Sequence, residues 1–496
     1  MTTIRADIDI SIVMNVHRSH KYYRRTILSL EAAVRYAVYK GILIELIVVM
    51  DSPDPPTTRY FQAYRPELFC RYELLSVNNK ALGLSRNDGV HRAAGRFIMT
   101  FDDDDLISFN YIVKMFQAAS ANEKVVAFPE YLYGFGDGHQ LCKYYTFNKL
   151  SRLIFIESHA LMSRFIAYRD VFDEIQYNAV SIGDALGYED WHFNCEIIAR
   201  GLNIVIAEDT VLFYRERHSG SAWKMASQSV GQIPQSKLFL PNIYLDVCSE
   251  DYFTYNHSTH IMTPPSEILT SFTNNFVISE ALVEASQIDP SICVRPLHQF
   301  AIHCNKDRFL GTGAAYYEVC ELVKDRLFDH VLIVPFLTLG EESRTIHSLL
   351  SQITQNKTEP SVLILSGHGG YINDGVMNLP EQVVFIDLFN MFEGLSYARL
   401  FTVAFKLIQA SAAKSELHLI GCKFSCDFFR SYHPALSGHR TKLYCPSEFD
   451  KIGSAFGADF STIFSFIDRH SEYIDNIATD QLRLKDVLKT SCGIEV

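Results

Sequence analysis

Along the first part of the chain, short apolar runs alternate with longer segments whose apolar positions recur at helical spacing. "DISIVMNV" (9–16) and "IELIVVMD" (44–51) are continuously apolar and rich in β-branched residues, as strands covered on both faces of a parallel sheet must be. Between them, "YYRRTILSLEAAVRYAVYK" (22–40) carries the helical period and is stopped by Gly41. "DSPDPPT" closes the second strand as a turn. A polar stretch leads to "GLSRNDGVHRAAG" (83–95), which reads as a helix ended by Gly95, and "RFIMTF" (96–101) is a third strand. Strand–helix–strand alternation with short connections predicts a mostly parallel sheet with right-handed crossovers. Ligands of such sheets sit beyond the carboxyl ends of the strands, where Asp51 and the run Asp102 to Asp105 fall.

Farther on, "KVVAFPEYLYGF" (124–135) and "NIVIAEDTVLFYRE" (203–216) read as strands. "EDWHFNCEIIARG" (189–201) reads as a helix opened by acids and closed by glycine, the order that suits the helix dipole. From 226 to 328 polar and aromatic segments, with a Pro-Pro pair at 264–265, suggest a connecting and partly helical region, with helices at 278–287 and 313–327. A second strand–helix pattern opens at "HVLIVPFLTLG" (330–340). Strands follow at 361–367, 382–388, 416–421 and 440–446, with helices at 341–355 and 395–412. The expected architecture is therefore α/β: a Rossmann-like, mostly parallel sheet in 1–225, the connecting region 226–328, and a second Rossmann-like domain in 329–496. The two α/β parts share no evident sequence repeat.

A chain of 496 residues has room for two or three domains. Its 48% hydrophobic and 13% aromatic content supplies real cores and excludes a disordered chain. The formal net charge of -12 argues against nucleic acid as a partner. The basic stretch "HKYYRR" reads as the solvated face of the first helix, with peripheral contact to anionic lipid as the other reading. No secretory signal and no apolar window of membrane-spanning length is present, and the eleven cysteines are scattered without paired C-x-x-C motifs. A cytoplasmic protein, peripheral at most to the inner face of the cytoplasmic membrane, is the expectation.

Four adjacent aspartates in "FIMTFDDDDLIS" (98–109) repel one another, so a strand that ends in them needs a cation nearby. A solvated acidic turn is the ordinary reading of such runs. At the end of a buried strand, an oxygen-only cluster instead suits a hard divalent ion that also grips phosphate oxygens.

Five segments carry a resemblance in their order along the chain: "SIVMNVHRSHKYYRRTILSL", "LIVVMDSPDPPT", "GLSRNDGVHRAAGRFIMTFDDDDLIS", "GYEDWHFNCEIIARG" and "FYRERHSGS". Together, over roughly 1–225, they resemble family 2 glycosyltransferases of GT-A type. The resemblance implies an inverting, hexosyltransferase-class transfer from a nucleotide-sugar, with Mn2+ or Mg2+ as cofactor. It favours a UDP-sugar donor over dTDP- or GDP-sugars, and a glycan or lipid-linked glycan acceptor. By analogy it suggests bacterial surface polysaccharide synthesis, O-antigen (lipopolysaccharide) or capsule, beside other assembly proteins.

Carried over by position, Asp51 resembles the acid that binds the nucleotide base, and Arg86 and Asn87 the segment along the nucleotide. The family's D-x-D aligns with Asp102 and Asp104, Asp102 toward the ribose and Asp104 on the metal, while Asp103 with Asp105 is the alternative frame. Glu189 and Asp190 resemble the acidic pair of the acceptor helix, with Asp190 as general base and Trp191 as a sugar-stacking or core residue. "YRERHSGS" resembles the loop that closes over the diphosphate, making Arg215 or Arg217 a phosphate partner and His218 a third metal ligand. The first strand departs from the family pattern by ending in Asn15-Val16-His17-Arg18, which makes Asn15 and His17 donor-side candidates.

The second α/β part, at "VLIVPFLTLGEESRTIHSLLSQ", resembles more loosely the N-terminal half of a family 4 GT-B glycosyltransferase. Gly340 is followed there by Glu341 and Glu342, and acids at a phosphate-facing helix start oppose anion binding. Such an enzyme also needs a second Rossmann-like half, so this part reads as a scaffold or as a piece of a larger protein. The rival for the whole chain is a non-catalytic scaffold or glycan-binding protein built from degenerate transferase modules. A metal-using nucleotidyltransferase is the third reading.

Overall fold

The computed structural model describes residues 8–162, 164–181, 183–218, 228–259, 261–293, 295–306, 310–355, 360–368, 372–447 and 459–494. Two compact units form the chain, Met1–Leu238 with Phe253–Leu310, and Phe239–Tyr252 with Gly311–Val496. The segment 226–328 is thus divided between the units, and within it the strand Ala301–Cys304 extends the first unit's sheet. Both units are mixed α/β, each built on a mostly or wholly parallel sheet.

In the first unit β1 (Ile10–Val16) is central, flanked in parallel by β2 (Ile44–Asp51) and β4 (Phe97–Asp102), with α1 (Tyr23–Tyr39) and α3 (Leu82–Arg92) in the crossovers. The apolar runs become strands because every residue of β1 and β2 is buried. Gly89 of α3 faces Val13 and Val49, and a β-carbon there would overlap both side chains, so glycine lets the helix lie close on β1 and β2. The turn after β2 contains a helix, α2 (Pro55–Ala63), capped by the Asp54 side chain. Beyond it, β3 (Arg71–Val77) completes this edge of the sheet.

After β4 the sheet becomes mixed. β5 (Leu106–Ile107) runs antiparallel to β9 (Asn203–Glu216), and α4 (Tyr111–Ala119) follows β5. β6 (Val125–Gly136) runs parallel to β9 and antiparallel to β7 (Gln140–Lys143) and β8 (Ile166–Tyr168). β8 in turn pairs antiparallel with β4, and β10 (Ala301–Cys304) adds to β7. Helices Pro265–Thr273 and Phe276–Ile288 share a core with this part of the sheet, through Tyr131, Tyr133, Phe213, Ile268, Phe272 and Ile278. α5 (Arg169–Glu174) and α6 (Glu189–Ala199) lie between β8 and β9 in sequence.

The second unit is a parallel sheet of β11 (His330–Val334), β12 (Val362–Ser366), β13 (Val383–Asp387), β14 (Glu416–Ile420), β15 (Arg440–Cys445) and β16 (Asn476–Thr479). Its spatial order is β13-β12-β11-β14-β15-β16, so the winding reverses between β11 and β14, the doubly-wound order with its switch point there. Leu332, Val334, Phe336, Ile346, Leu350 and Ile364 fill one core cluster of this unit. Among the described residues, no helix is long and apolar enough to cross a membrane.

Candidate active site

The carboxyl ends of β1, β2 and β4 are brought side by side by strand register: Asn15 lies opposite Asp102, and Val16 opposite Met50, the residue before Asp51. The four aspartates leave β4 with four different surroundings. Asp102 pairs with Arg86 at 3.3 Å and with Arg164 at 2.5 Å. Asp103 accepts the backbone N–H of His17 at 2.9 Å. Asp104 pairs with Arg217 at 2.6 Å. Asp105 is fully buried, one oxygen bound by Arg164 Nε and Nη2 at 2.9 and 2.7 Å and the other by the Arg215 N–H at 2.9 Å.

The second acidic group arrives on α6. The residue that precedes it, Tyr188, has φ 60 and ψ 65, a left-handed conformation unusual for a side chain of this size, and the turn sets Glu189 and Asp190 at the helix start. Arg86 joins the two acidic groups: only 1% exposed, it reaches Glu189 at 2.8 Å as well as Asp102, and stacks over Tyr177 at 5.2 Å. Asp190 accepts the Trp191 N–H at 2.9 Å through one oxygen and faces His159 Nε2 at 3.2 Å with the other.

Among the described residues, the four carboxylates of Asp102, Asp104, Asp105 and Glu189 share three guanidinium groups, those of Arg86, Arg164 and Arg217, while Asp103 is held by the His17 N–H. Burial opposes ionisation of Asp102, yet Arg164 and Arg86 hold it below the ordinary carboxylate range. Asp103 is pushed up to about 7, first by burial and then by the charge of Asp104. Burial also raises Asp104, against the pull of Arg217. Glu189 is raised by burial and by Asp190, with Arg86 opposing. The excess of negative charge at a strand end is what a divalent cation would neutralise, and the donors on hand are oxygens, as Mn2+ or Mg2+ requires. A second sign is Asn15, which is 6% exposed with no hydrogen-bond partner for either side-chain atom. The residues present thus fit an ion with a polar ligand beside it.

Several expected contact residues prove to be engaged within the fold. Arg86 lies under the site as a bridge between Asp102 and Glu189, so it is a positioning group, because a side chain buried to this degree offers no face to a nucleotide. Asn87 uses both ends of its amide on the backbone of Tyr177, donating at 2.9 Å and accepting at 3.0 Å. Asn87→Ala leaves that buried peptide pair unmet and should cost about 1–3 kcal/mol in a denaturant melt. Trp191 is 3% exposed and its indole N–H donates to the Phe155 carbonyl at 2.8 Å, which makes it a core residue and removes it as a sugar platform. Arg215 is buried between the Tyr22 and Phe135 rings and paired with Asp289 at 2.5 Å, so it buttresses the aspartate loop instead of facing a diphosphate.

The remaining candidates stay at the carboxyl edge. Asp51 accepts Ser85 Oγ at 2.9 Å and the Lys80 N–H at 3.2 Å. His17 is exposed and its Nδ1 lies 2.6 Å from the Asp51 carbonyl oxygen. Arg217 keeps a third of its side chain exposed. His218 is exposed, with its backbone N–H donating to Asp137, and the "SGS" that follows it lies outside the described residues. Arg164, His159, Tyr177 and Asp289 belong to the site's framework without any motif that marks them in the sequence. In the basic stretch, His20 pairs with Asp54 and Arg25 with Asp289.

A mostly parallel sheet with an acidic loop at its carboxyl edge, beside the acid-opened helix α6, defines the first unit as an α/β protein of the class whose ligands sit at strand ends. The model of glycosyl transferase family 2 matches residues 11–177, about a third of the chain, taking in Asp51, Arg86 and the aspartate run and ending before α6. The match supports nucleotide-sugar glycosyl transfer by this unit. No curated protein sequence matches the chain. Among solved structures, S. aureus TarS 1-349 in complex with UDP-GlcNAc is similar at 15% identity and TM-score 0.36, covering 63% of this chain and 87% of that one. The same protein in complex with UDP gives 16% and 0.36, with 57% and 81% covered. GalNAc-T7 with UDP, GalNAc and Mn2+ gives 13% and 0.32, with 58% and 59% covered.

Proposed function

We propose that the first unit is an inverting, metal-dependent glycosyltransferase, moving a sugar from a nucleotide-sugar, a UDP-sugar foremost, to a hydroxyl of a glycan or lipid-linked glycan. The observation that supports this best is the joining of two acidic groups, the aspartate loop after β4 and the Glu189-Asp190 pair of α6, through the buried Arg86. Asp104, with Asp102 beside it and His218 as a further candidate, would hold Mn2+ or Mg2+. Bound there, the ion offsets the charge of the departing diphosphate. Arg217, which reaches Asp104 from just past β9, is placed to exchange that carboxylate for a phosphate oxygen. Asp190 would accept the proton of the acceptor hydroxyl as its oxygen bonds to the anomeric carbon and the bond to the diphosphate breaks on the opposite face. Asn15, His17 and Asp51 are the groups for the nucleoside. The reading extends to bacterial surface polysaccharide assembly in the cytoplasm, at the inner face of the membrane where lipid-linked acceptors are found.

A thermal-shift screen of UDP-, dTDP- and GDP-sugars with Mn2+ tests this. A donor at a hundred times its Kd stabilises by about 2.7 kcal/mol. The UDP-sugar should raise Tm, and Asp104→Ala should abolish the metal-dependent part of the shift. Silence from every donor would sink the reading.

For the second unit a scaffold role is the better reading, because of the loop after β11. Its backbone N–H groups are already engaged: Leu337 by Asn373 at 2.7 Å, Thr338 by Ser343 at 3.0 Å and Leu339 by Asp374 at 2.8 Å. A phosphate at this switch point would have to displace all three and approach Glu341 and Glu342 at the helix start.

A further inference from the structure

The amino ends of the second unit's central strands hold a cluster that the sugar-transfer reading does not use. His330 opens β11, and Glu416 and His418 stand on β14 two residues apart, on one face of the sheet. Parallel register sets His330 directly opposite Glu416, and Lys442 of β15 opposite His418. Three donor atoms converge: His330 Nδ1 lies 3.0 Å from His418 Nε2, and each lies 3.5 Å from Glu416 Oε2.

Those separations have a chemical meaning. Ligands about 2.0–2.1 Å from a tetrahedral zinc ion stand about 3.3–3.4 Å from one another. The observed triangle has this size. The groups behind it are also those of a ligand shell. The Tyr444 hydroxyl lies 3.2 Å from His418 Nδ1, where it can accept that N–H and leave Nε2 free of a proton toward the triangle. Lys442 bonds the other carboxylate oxygen, Oε1, at 2.7 Å, which fixes Glu416 with Oε2 turned to the histidines. The His418 side chain is 2% exposed, while His330 and Glu416 keep 21% and 18%, so one side of the triangle is open to water.

We propose that His330, Glu416 and His418 bind a divalent transition-metal ion of the zinc type, with a fourth position open to solvent or a small ligand. Two imidazole nitrogens and a single carboxylate favour such an ion over Mg2+ or Ca2+, which ask for oxygen shells. The ion would clamp β11 to β14 at their amino ends, the opposite end of these strands from the carboxyl edge where the switch-point crevice opens.

Cobalt(II) titration of the full-length chain tests the site separately from the aspartate loop, because oxygen-rich six-coordinate cobalt absorbs weakly and four-coordinate cobalt strongly. The expected result is an intense visible band saturating at one ion per chain and displaced by Zn2+. The band should be lost in His330→Gln, whose partly exposed position tolerates the change, and kept in Asp104→Ala. Tyr444→Phe should weaken binding about 10–100-fold. Absence of the band in the unaltered chain, its survival in His330→Gln with unchanged circular dichroism, or a thiolate-to-cobalt charge-transfer band would each overturn the proposal and leave a histidine–histidine hydrogen bond.

Discussion

Asp190→Asn should lower kcat for sugar transfer by about 10²–10⁴-fold, the usual contribution of a positioned general base. Donor affinity and Tm should stay near those of the unaltered protein. The substitution is clean for a structural reason. Asparagine keeps an oxygen for the Trp191 N–H now accepted at 2.9 Å, and the carboxylate at 3.2 Å from His159 Nε2 makes no hydrogen bond there to be lost. The fold therefore loses little, and what is removed is the ability to take a proton. Donor hydrolysis and transfer should be measured side by side with a thermal shift on the UDP-sugar. Transfer at the normal rate would remove Asp190 as the base, and loss of donor binding would make it a recognition residue. His159→Gln, which leaves the carboxylate in place, should cost less than Asp190→Asn.

The parts of the site read from sequence are those set by local pattern. β1, β2 and β4 announce themselves as continuous apolar runs, and the acids at their ends follow by position alone. β3 escaped because it is an edge strand with every residue only partly buried or exposed, so "RYELLSV" lacks a clear period. The frame within Asp102 to Asp105 could not be read locally, since four identical residues differ only in what the fold brings to each. Asp105 meets Arg164 from 59 residues away and the Arg215 N–H from 110. Arg86 and Trp191 sit within recognisable motifs, yet their burial depends on α6 packing and on Phe155, which no local window contains. In the second unit, the i, i+2 spacing of Glu416 and His418 is legible as one strand face, whereas His330 joins them only through β11–β14 register.

Arg164→Met should destabilise the first unit by up to about 3–5 kcal/mol, the cost of breaking a buried ion pair from one side. Arg164 is 6% exposed and is shared by two carboxylates, Asp102 at 2.5 Å and Asp105 at 2.7 Å, with its guanidinium 5.6 Å from the centre of the Tyr214 ring. Methionine fills much of the same volume, so the loss is electrostatic and not a cavity. Asp102 retains Arg86, but Asp105 is fully buried and already pushed up to about 7 by burial with Arg164 beside it, so without that guanidinium it is left with the Arg215 N–H alone and must take up a proton or stay charged against burial. Trp191 is buried in the first unit, so its fluorescence in urea follows that unit's transition. Against a typical domain stability of about 5–15 kcal/mol the shift in midpoint should be large. Adding Asp105→Asn to Arg164→Met removes the carboxyl left without its partner and should recover a substantial part of the loss, a coupling between contacting residues that simple additivity would not produce. A single variant costing under about 1 kcal/mol, the scale of an exposed ion pair, would show that the aspartate loop is held by something other than this arginine.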